Sequence, residues 1–221
     1  MTGASRGIGA AVADVLVGEG ATVVRLARSL ADGSEGRRHD LTCDVTDPGQ
    51  VARAADRVQA TVGAPDVLVN NAGSFLLAPF EATDLAAFDN QLNIGVRGPF
   101  FVLQAFLPAM RAAGRGLVVT IGSIADHVGL PGNAAYGAAK FAVRGLHEAL
   151  VAESRGSGIR FTLVSPGATD TAAWDPVDPD RRPGFTPRAR MLRPADVADA
   201  VAFVATRPPH VHVDWLRLGP V

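Results

Sequence analysis

The sequence predicts an α/β fold in which a doubly wound parallel sheet is flanked by helices, within one domain that spans residues 1–221. Short β-branched runs alternate with longer segments whose apolar residues recur every three or four positions, as in βαβ units. A length of 221 residues fits one large domain. A hydrophobic fraction of 48% with 19% charged residues supplies a core and argues against disorder.

Strands are predicted where short runs are apolar and rich in β-branched residues. These runs are Thr22–Ala27, Leu41–Val45, Asp66–Asn70, Leu117–Ile121, Ile159–Val164 and Val211–Leu218. Helices are predicted between them, from an N-capping Asp47 with Pro48 at the first position, and over a long segment that Gly98 and Pro99 should bend. The predicted helices are 47–63, 84–114, Ala134–Gly156 and Pro194–Ala205.

The charge balance and the apolar pattern exclude several classes of partner. With 21 basic and 22 acidic residues the net charge is −1, so no basic excess favours a nucleic acid or an anionic membrane. No run approaches the roughly 18 apolar residues of a membrane span, and the polar start does not resemble a signal peptide. Cys43, the single cysteine, has no partner for an internal disulfide. We therefore expect a cytoplasmic protein with no nucleic acid or membrane partner.

Two short patterns point to chemistry. Gly3, Gly7 and Gly9 precede an apolar helical pattern, and glycines at this spacing allow a tight turn and close approach of backbone N–H groups to a pyrophosphate. By itself the pattern also fits an ordinary turn before a helix. Tyr136 is the only tyrosine and Lys140 the only lysine, and residues four apart share one helix face. An ammonium beside a phenol favours the phenolate, which makes the tyrosine a better acid–base catalyst.

These patterns, with others in order along the chain, resemble the short-chain dehydrogenase/reductase family over roughly residues 2–206. The octet from Thr2 to Gly9 is similar to its TGxxxGxG motif, Asn70 to Gly73 to its NNAG motif, and Ser165 to Thr171 to its nicotinamide-side PGxxxT segment. The resemblance implies a Rossmann-like fold and a catalytic tetrad of Asn93, Ser123, Tyr136 and Lys140. It implies cofactor contacts from Gly3, Ser5, Arg6, Gly7, Ile8, Gly9, Arg28, Ser29, Asp44, Val45, Asn71, Ala72, Gly73, Tyr136, Lys140, Pro166, Gly167, Thr169 and Thr171.

The resemblance also implies a role for each tetrad residue. Tyr136 would be the general acid–base, and Lys140 would lower the pKa of Tyr136 and bind the ribose. Ser123, thirteen residues before Tyr136 and just after a predicted strand, would polarise the substrate carbonyl. Asn93 would position Lys140 through a water molecule.

The residues after the first predicted strand bear on the choice of cofactor. Relatives that prefer NAD place an acidic residue there to bind the ribose 2′-hydroxyl, whereas this chain has Arg28 and Ser29. Arg28, with Arg6, could bind a 2′-phosphate. The sequence therefore predicts NADP, with NAD as the alternative.

Other residues carry weaker expectations. Asp126 and His127 are expected to line the substrate pocket, and the segment Ala172–Arg193, with Trp174, to form a substrate lid. Cys43 and Trp215 are expected to be packing residues. The five histidines show no metal-ligand spacing, so no metal is predicted.

The glycine motif begins at residue 2, where the resemblance implies a preceding central strand in the order 3-2-1-4-5-6-7. This first strand is apparently missing from the sequence. A buried strand contributes on the order of 5–10 kcal/mol, comparable with the net stability of a domain. We therefore expect this chain to be destabilised and the natural product to begin about eight or more residues upstream.

The sequence predicts an NADP-dependent oxidoreductase that interconverts a small alcohol and a carbonyl compound, as a homo-oligomer, dimer or tetramer. The alternative is a nucleotide-binding or sensing protein that keeps the fold with impaired or no catalysis. An epimerase or dehydratase is disfavoured because no larger C-terminal substrate domain is present. The C-terminal ending weakly resembles the subgroup that oxidises serine and related 3-hydroxy acids, which does not fix the substrate.

Overall fold

Two sheets form the centre of the protein in a computed structural model that describes residues 1–221: one has a parallel and an antiparallel pair of strands, and the other is entirely parallel. The first sheet has the order β1-β3-β2 and the second the order β4-β5-β6-β7. The strands are β1 (Val23–Ala27), β2 (Gly33–Glu35), β3 (Arg38–Thr42), β4 (Val67–Asn70), β5 (Gly116–Ile121), β6 (Ile159–Pro166) and β7 (Trp215–Leu218).

The N-terminal residues join the two sheets. Thr2 forms a parallel bridge with Leu26 of β1, and its amide donates to the Val69 carbonyl of β4 at 3.0 Å. The Leu26 amide in turn donates to the Met1 carbonyl at 2.8 Å. Met1 and Thr2 thus occupy the position between β1 and β4, where the central strand was expected, and the upstream start stays a prediction.

Helices cover both faces of the sheets, which confirms the predicted doubly wound architecture. The helices are α1 (Gly7–Gly18), α2 (Pro48–Val62), α3 (Leu85–Leu92), α4 (Gly98–Ala113), α5 (Ala134–Glu153) and α6 (Pro194–Ala205). On one face α1 and α6 bury Val12 and Val201 against β4 and β5. On the other, α2 and α4 bury side chains such as Val51 and Phe106 in a core shared with β3 and β5.

The third strand lies earlier in the chain than predicted, over Arg38–Thr42 rather than Leu41–Val45. A hairpin that the sequence analysis missed brings β2 antiparallel to β3 through Gly36, whose φ is 56°. Arg25 of β1 and Asp40 of β3 are register partners and form a bidentate ion pair, which is why charged residues belong to this strand. The predicted strand end instead turns toward the sheet edge, where Asp44 accepts from the amide and hydroxyl of Thr46.

The last strand is shorter than the predicted Val211–Leu218. Residues 211–214 run beside β6, but they are held mainly by hydrogen bonds from its side chains instead of by backbone pairing between strands. Arg160 donates to the Val211 carbonyl at 2.7 Å, and the Thr162 hydroxyl donates to the Val213 carbonyl at 2.6 Å. Ladder pairing begins at Trp215, opposite Leu163.

The long predicted helix 84–114 is interrupted, as Gly98 and Pro99 suggested. A π-helical turn, Asn93–Arg97, separates α3 from α4. Pro99 has no N–H to offer the carbonyl four residues earlier, and its ring crowds that carbonyl, so the regular helix cannot continue through it. No helix is both long and apolar enough to span a bilayer.

Candidate active site

A cleft of about 780 Å³ opens at the carboxyl ends of the parallel strands. Its walls come from the glycine turn before α1, from the ends of β1, β4, β5 and β6, and from the start of α5. Every predicted site residue except Asn93 lines it. The lining residues from the prediction are Gly3, Ser5, Arg6, Gly7, Ile8, Gly9, Arg28, Ser29, Asp44, Val45, Asn71, Ala72, Gly73, Ser123, Tyr136, Lys140, Pro166, Gly167, Thr169 and Thr171.

The glycine turn has a shape that no larger residue permits. Gly3 has a φ of 63°, and a Cβ there would lie 2.8 Å from Ala72 Cα. A Cβ on Gly9 would overlap the Gly3 carbonyl oxygen and lie 2.5 Å from Asn71 Nδ2. Asn71 Nδ2 donates to the carbonyls of Thr2 and Gly3 at 3.1 and 3.0 Å, so the loop after β4 holds the turn in place.

The N-terminus of α1 is free to bind an anion. Its N-cap residue, Arg6, makes no side-chain capping bond, and no acidic residue lies in the first turn. The first N–H groups of a helix carry partial positive charge and lack partners within the helix. Thr171 lies across from Gly7, 3.4 Å from where a Cβ would be. This cradle fits the pyrophosphate of a dinucleotide.

At the far end of the cleft, Arg28 lies 71% exposed after β1. Its guanidinium is 4.0 Å from the Asp44 carboxylate, a contact weak enough for the cation to turn toward a bound anion. Ala27 and Ser29 line the cleft beside it. No carboxylate stands at the end of β1, as the sequence indicated.

Three of the predicted tetrad residues meet at the middle of the cleft. Ser123 follows β5 and its hydroxyl accepts from the Ala125 amide at 3.1 Å. Tyr136 and Lys140 lie one turn apart on α5, with Lys140 Nζ 5.7 Å from the Tyr136 ring centroid. Lys140 Nζ donates to the Ile121 carbonyl at 3.0 Å, which fixes the ammonium beneath the end of β5.

The pKa of Tyr136 is shifted in the direction opposite to the prediction. Burial raises the pKa of Tyr136 to about 12, and a hydrogen bond with Ser123 opposes that rise. The predicted direction was downward; the upward shift follows because the buried phenolate loses hydration. Burial also lowers the pKa of Lys140 to about 8, against the charge of Asp126, which raises it. Near neutral pH the phenol is therefore protonated and the amine predominantly charged.

Asn93 lies outside the cleft, at the first position of the π-helical turn. Its Oδ1 accepts from Arg97 at 3.1 Å, and the next residue, Ile94, lines the cleft instead. The turn packs against α5 so closely that a Cβ on Gly95 would lie 3.1 Å from Ala139 Cβ, one residue before Lys140. Asn93 is thus near the helix that carries Lys140 without a direct hydrogen bond to the lysine.

Asp126 and His127 do not line the pocket, contrary to the prediction. A 3-10 turn, Ile124–Asp126, carries the Asp126 carboxylate behind Ser123, where it is fully buried. It accepts from the Ser123 amide at 3.0 Å, the Ser165 hydroxyl at 2.6 Å and His127 Nδ1 at 2.6 Å. Trp215 Nε1 donates to Ser165 at 2.9 Å, so this packing residue joins the same network.

The remaining wall of the cleft is aromatic and largely escaped prediction. The Phe75 ring lies edge-on to Tyr136 at 5.1 Å between centroids and 4.8 Å from the Trp174 ring. Trp174, predicted to cover a substrate as part of a lid, lines the cleft, and its covering role stays a prediction. Phe75 directly follows the NNAG motif and Ser74 and has no periodic signal in the sequence. Cys43 both lines the cleft and is 1% exposed, and burial raises the pKa of its thiol to about 11.

The predicted lid segment, Ala172–Arg193, is ordered into three short 3-10 turns. Arg188 bonds Asp170 at 2.6 Å, Asp175 at 2.5 Å and the Thr171 carbonyl at 3.2 Å. Arg188 thereby ties the segment to Asp170 and Thr171, in the stretch that follows β6.

Comparison with known proteins agrees with this geometry. A family model described as short chain dehydrogenase matches residues 1–182. The chain is 37% identical over 219 residues to D-threitol dehydrogenase of Mycolicibacterium smegmatis, covering 93% of this chain and 84% of that protein. Among solved structures, a closed serine dehydrogenase complexed with NADP+ has a TM-score of 0.89 at 25% identity, covering 99% and 93% of the two chains. An alcohol dehydrogenase from Thermococcus sibiricus with 5-hydroxy-NADP has a TM-score of 0.85 at 27% identity, covering 100% and 95%.

Proposed function

Because the chain belongs to the short-chain dehydrogenase family, we propose that it transfers a hydride between NADP(H) and an alcohol or carbonyl substrate. The observation that carries this proposal is the meeting of Ser123, Tyr136 and Lys140 in one cleft with the glycine turn. A bound nicotinamide would supply the hydride in reduction and accept it in oxidation.

The side chains of this protein would donate the proton in reduction and accept it in oxidation. In reduction, the Ser123 hydroxyl donates a hydrogen bond to the substrate carbonyl, and Tyr136 transfers its phenolic proton to the same oxygen as the carbonyl carbon gains the hydride. The upward-shifted pKa of Tyr136 keeps that proton in place at neutral pH. The Lys140 ammonium stabilises the phenolate that remains and binds the ribose. In oxidation, Tyr136 takes the proton back. Asn93 would position Lys140 through a water molecule.

We propose NADP as the cofactor, with NAD as the alternative. The free α1 N-terminus would hold the pyrophosphate, Arg28 and Ser29 the 2′-phosphate, and Asp44 and Val45 the adenine side. Two of the neighbours named above were solved with NADP or an analogue of it.

Replacement of Tyr136 by Phe tests the proposal. It removes the proton donor while keeping the ring, so turnover with NADPH should fall by at least about a thousandfold. NADPH should still raise the thermal midpoint of Tyr136→Phe as it does in the wild type. A variant that keeps most of its turnover would overturn the mechanism. A wild type that binds NADPH but turns over no alcohol or carbonyl compound would instead be the non-catalytic nucleotide-binding protein.

We also propose that the protein is a homo-oligomer, a dimer or a tetramer, formed through α4 and α5. Phe100 on α4 and Phe141 on α5 are each 47% exposed, and a second copy would cover these apolar side chains. Sedimentation of the wild type against Phe141→Asp would test this, because the charge should dissociate the assembly.

A further inference from the structure

The cleft separates charged from uncharged walls, and this bears on the substrate. The Arg, Lys, Asp and Glu residues that line it are Arg6, Arg28, Asp44 and Lys140. The proposed function assigns Arg28 and Asp44 to the cofactor and Lys140 to Tyr136 and the ribose, and the sequence places Arg6 beside Arg28 at the 2′-phosphate. Around Tyr136 the wall is formed by uncharged residues that include Ser74, Phe75, Leu130, Asn133, Trp174 and Pro176. A substrate carboxylate there would lose its hydration and find no cation of its own.

The aromatic part of this wall suits a flat apolar group. Phe75 contacts the Tyr136 ring edge-on, and Trp174 lies against Phe75 at 4.8 Å between centroids and near Phe185 at 6.3 Å. A substituent on a carbonyl held by Tyr136 would therefore meet the Phe75 and Trp174 rings. Aromatic pairs in offset or edge-to-face arrangements gain stabilisation beyond their buried area.

One side chain in the wall has unmet hydrogen-bonding capacity. Asn133 is 8% exposed and stands at the N-cap of α5, yet its side chain makes no capping bond. Its Oδ1 is buried without a partner, and so is the Oγ of Ser74 across the same wall. Buried polar atoms in native proteins are nearly always paired, so the Asn133 and Ser74 side chains have hydrogen-bonding capacity left for a group bound in the cleft that they line. A hydroxyl group can donate to and accept from an amide, and so can satisfy Asn133.

We propose that the substrate is a neutral aryl hydroxy ketone, or the corresponding diol, in which Phe75 and Trp174 hold the ring and Asn133 binds the hydroxyl that does not react. The assignment rests on the proposed function. It separates this chain from two of the proteins it resembles, since serine is a zwitterion and threitol has no apolar group. Asn133 would be a specificity residue that touches the substrate away from the reacting carbon.

The test compares four carbonyl compounds with NADPH: 2-hydroxyacetophenone, acetophenone, hydroxyacetone and the keto acid benzoylformate. We expect kcat/KM to be highest for 2-hydroxyacetophenone, at least about tenfold above each of the others, because a site built for a hydroxyl discriminates against its absence. Asn133→Ala should reduce the ratio of kcat/KM for 2-hydroxyacetophenone over acetophenone by about tenfold. The matched change Asn90→Ala, at an exposed position on α3, should leave that ratio as it is.

Acetophenone turnover in Asn133→Ala reports whether the variant is folded. An unchanged ratio in a folded variant would overturn the role of Asn133, and hydroxyacetone or benzoylformate as the best of the four substrates would overturn the neutral aryl class. Those outcomes leave the proposed function standing. No turnover of any of the four compounds by the wild type would overturn the substrate class, whereas the proposed function falls only if no alcohol or carbonyl compound is turned over. If Asn133→Ala does not fold, the wild-type preference among the four compounds still decides the substrate class, and Asn133→Ser decides the role of the amide.

Discussion

The fully buried carboxylate of Asp126 accepts a hydrogen bond from the backbone amide of Ser123 at 3.0 Å. The same carboxylate accepts hydrogen bonds from the Ser165 hydroxyl and His127 Nδ1, so one anion fixes both Ser123, which we propose polarises the substrate, and Ser165 near the end of β6. Gly122 makes room for it, because a Cβ there would overlap Asp126 Oδ2. We therefore propose Asp126 as a positioning residue for Ser123, and its charge also raises the pKa of Tyr136, the proposed acid–base.

Asp126→Asn should move the pH profile of alcohol oxidation toward lower pH. The Asp126 charge adds to burial in raising the pKa of Tyr136, and it also raises the pKa of Lys140. Asparagine can keep the hydrogen bonds, with its Nδ2 donating to an unprotonated His127 Nδ1, while it removes the charge. Both limbs of the pH profile of kcat/KM should then move to lower pH by about 0.5–1 unit. Asp89→Asn, at an exposed position on α3, is the control, and limbs that stay in place or rise would contradict the argument.

Gly9→Ala should abolish cofactor binding. The added methyl group would overlap the Gly3 carbonyl oxygen, which is backbone and cannot swing aside. We expect a loss of about 1–3 kcal/mol in the free energy of unfolding and no rise of the thermal midpoint with NADPH. Gly18→Ala, in the last turn of the same helix, meets nothing within 4 Å and should bind NADPH normally with equal or slightly higher stability. Equal behaviour of the two variants would exclude the glycine turn as the pyrophosphate site.

Arg28→Ala should weaken NADPH binding about tenfold or more and change NADH binding less than about threefold. A hydrogen bond between a guanidinium and a phosphate is charge-assisted, and only NADPH carries the 2′-phosphate. Titration of both cofactors by calorimetry measures the two changes. Arg155→Ala, an exposed arginine away from the cleft, serves as the control for loss of a positive charge. A parallel loss for both cofactors would remove the argument for NADP.

Lys140→Met should change how stability depends on pH in the absence of cofactor. The folded-state pKa of Lys140, about 8, lies below its usual value of 10.5, so between these values the unfolded chain binds more protons than the folded one. The free energy of unfolding attributable to Lys140 therefore rises with pH across that window, by about 1–3 kcal/mol. Denaturant unfolding at pH 7.5 and 10 should show that the free energy of unfolding of the wild type, measured relative to that of Lys140→Met, increases with pH. A constant difference would mean that the lysine is not desolvated.

The parts of the site that the sequence predicted are those set by local geometry. Gly3, Gly7 and Gly9 define one turn, and Tyr136 and Lys140 share a helix face because of their four-residue spacing. Phe75 and Asn133 escaped because their roles depend on the fold, which brings the loop after β4 beside the start of α5. Asp126 was misplaced because a three-residue turn decides on which side of Ser123 its carboxylate lies.

The elements of the fold that the sequence predicted are likewise those set by local patterns. Apolar runs located β4, β5 and β6, which are buried on both faces, and the Pro-starting α2 and α6. β3 was misplaced by three residues because its polar stretch is held by the ion pair of Asp40 with Arg25 of β1, and periodicity does not reveal a partner strand. The π-helical turn could be foreseen as an irregularity at Gly98 and Pro99, but its form depends on the packing of Gly95 against α5.

If the segment Ala172–Arg193 is the lid that the sequence predicts, the ion pairs of Arg188 with Asp170 and Asp175 would act as its electrostatic latch. Both carboxylates are partly exposed, at 43% and 66%, so dissolved salt reaches the pairs. At about 0.15 M ionic strength the screening length is about 8 Å, and at 1 M about 3 Å. Raising the salt concentration weakens the latch and should speed its opening. If release of product limits turnover, kcat would be higher at about 1 M salt than at low ionic strength.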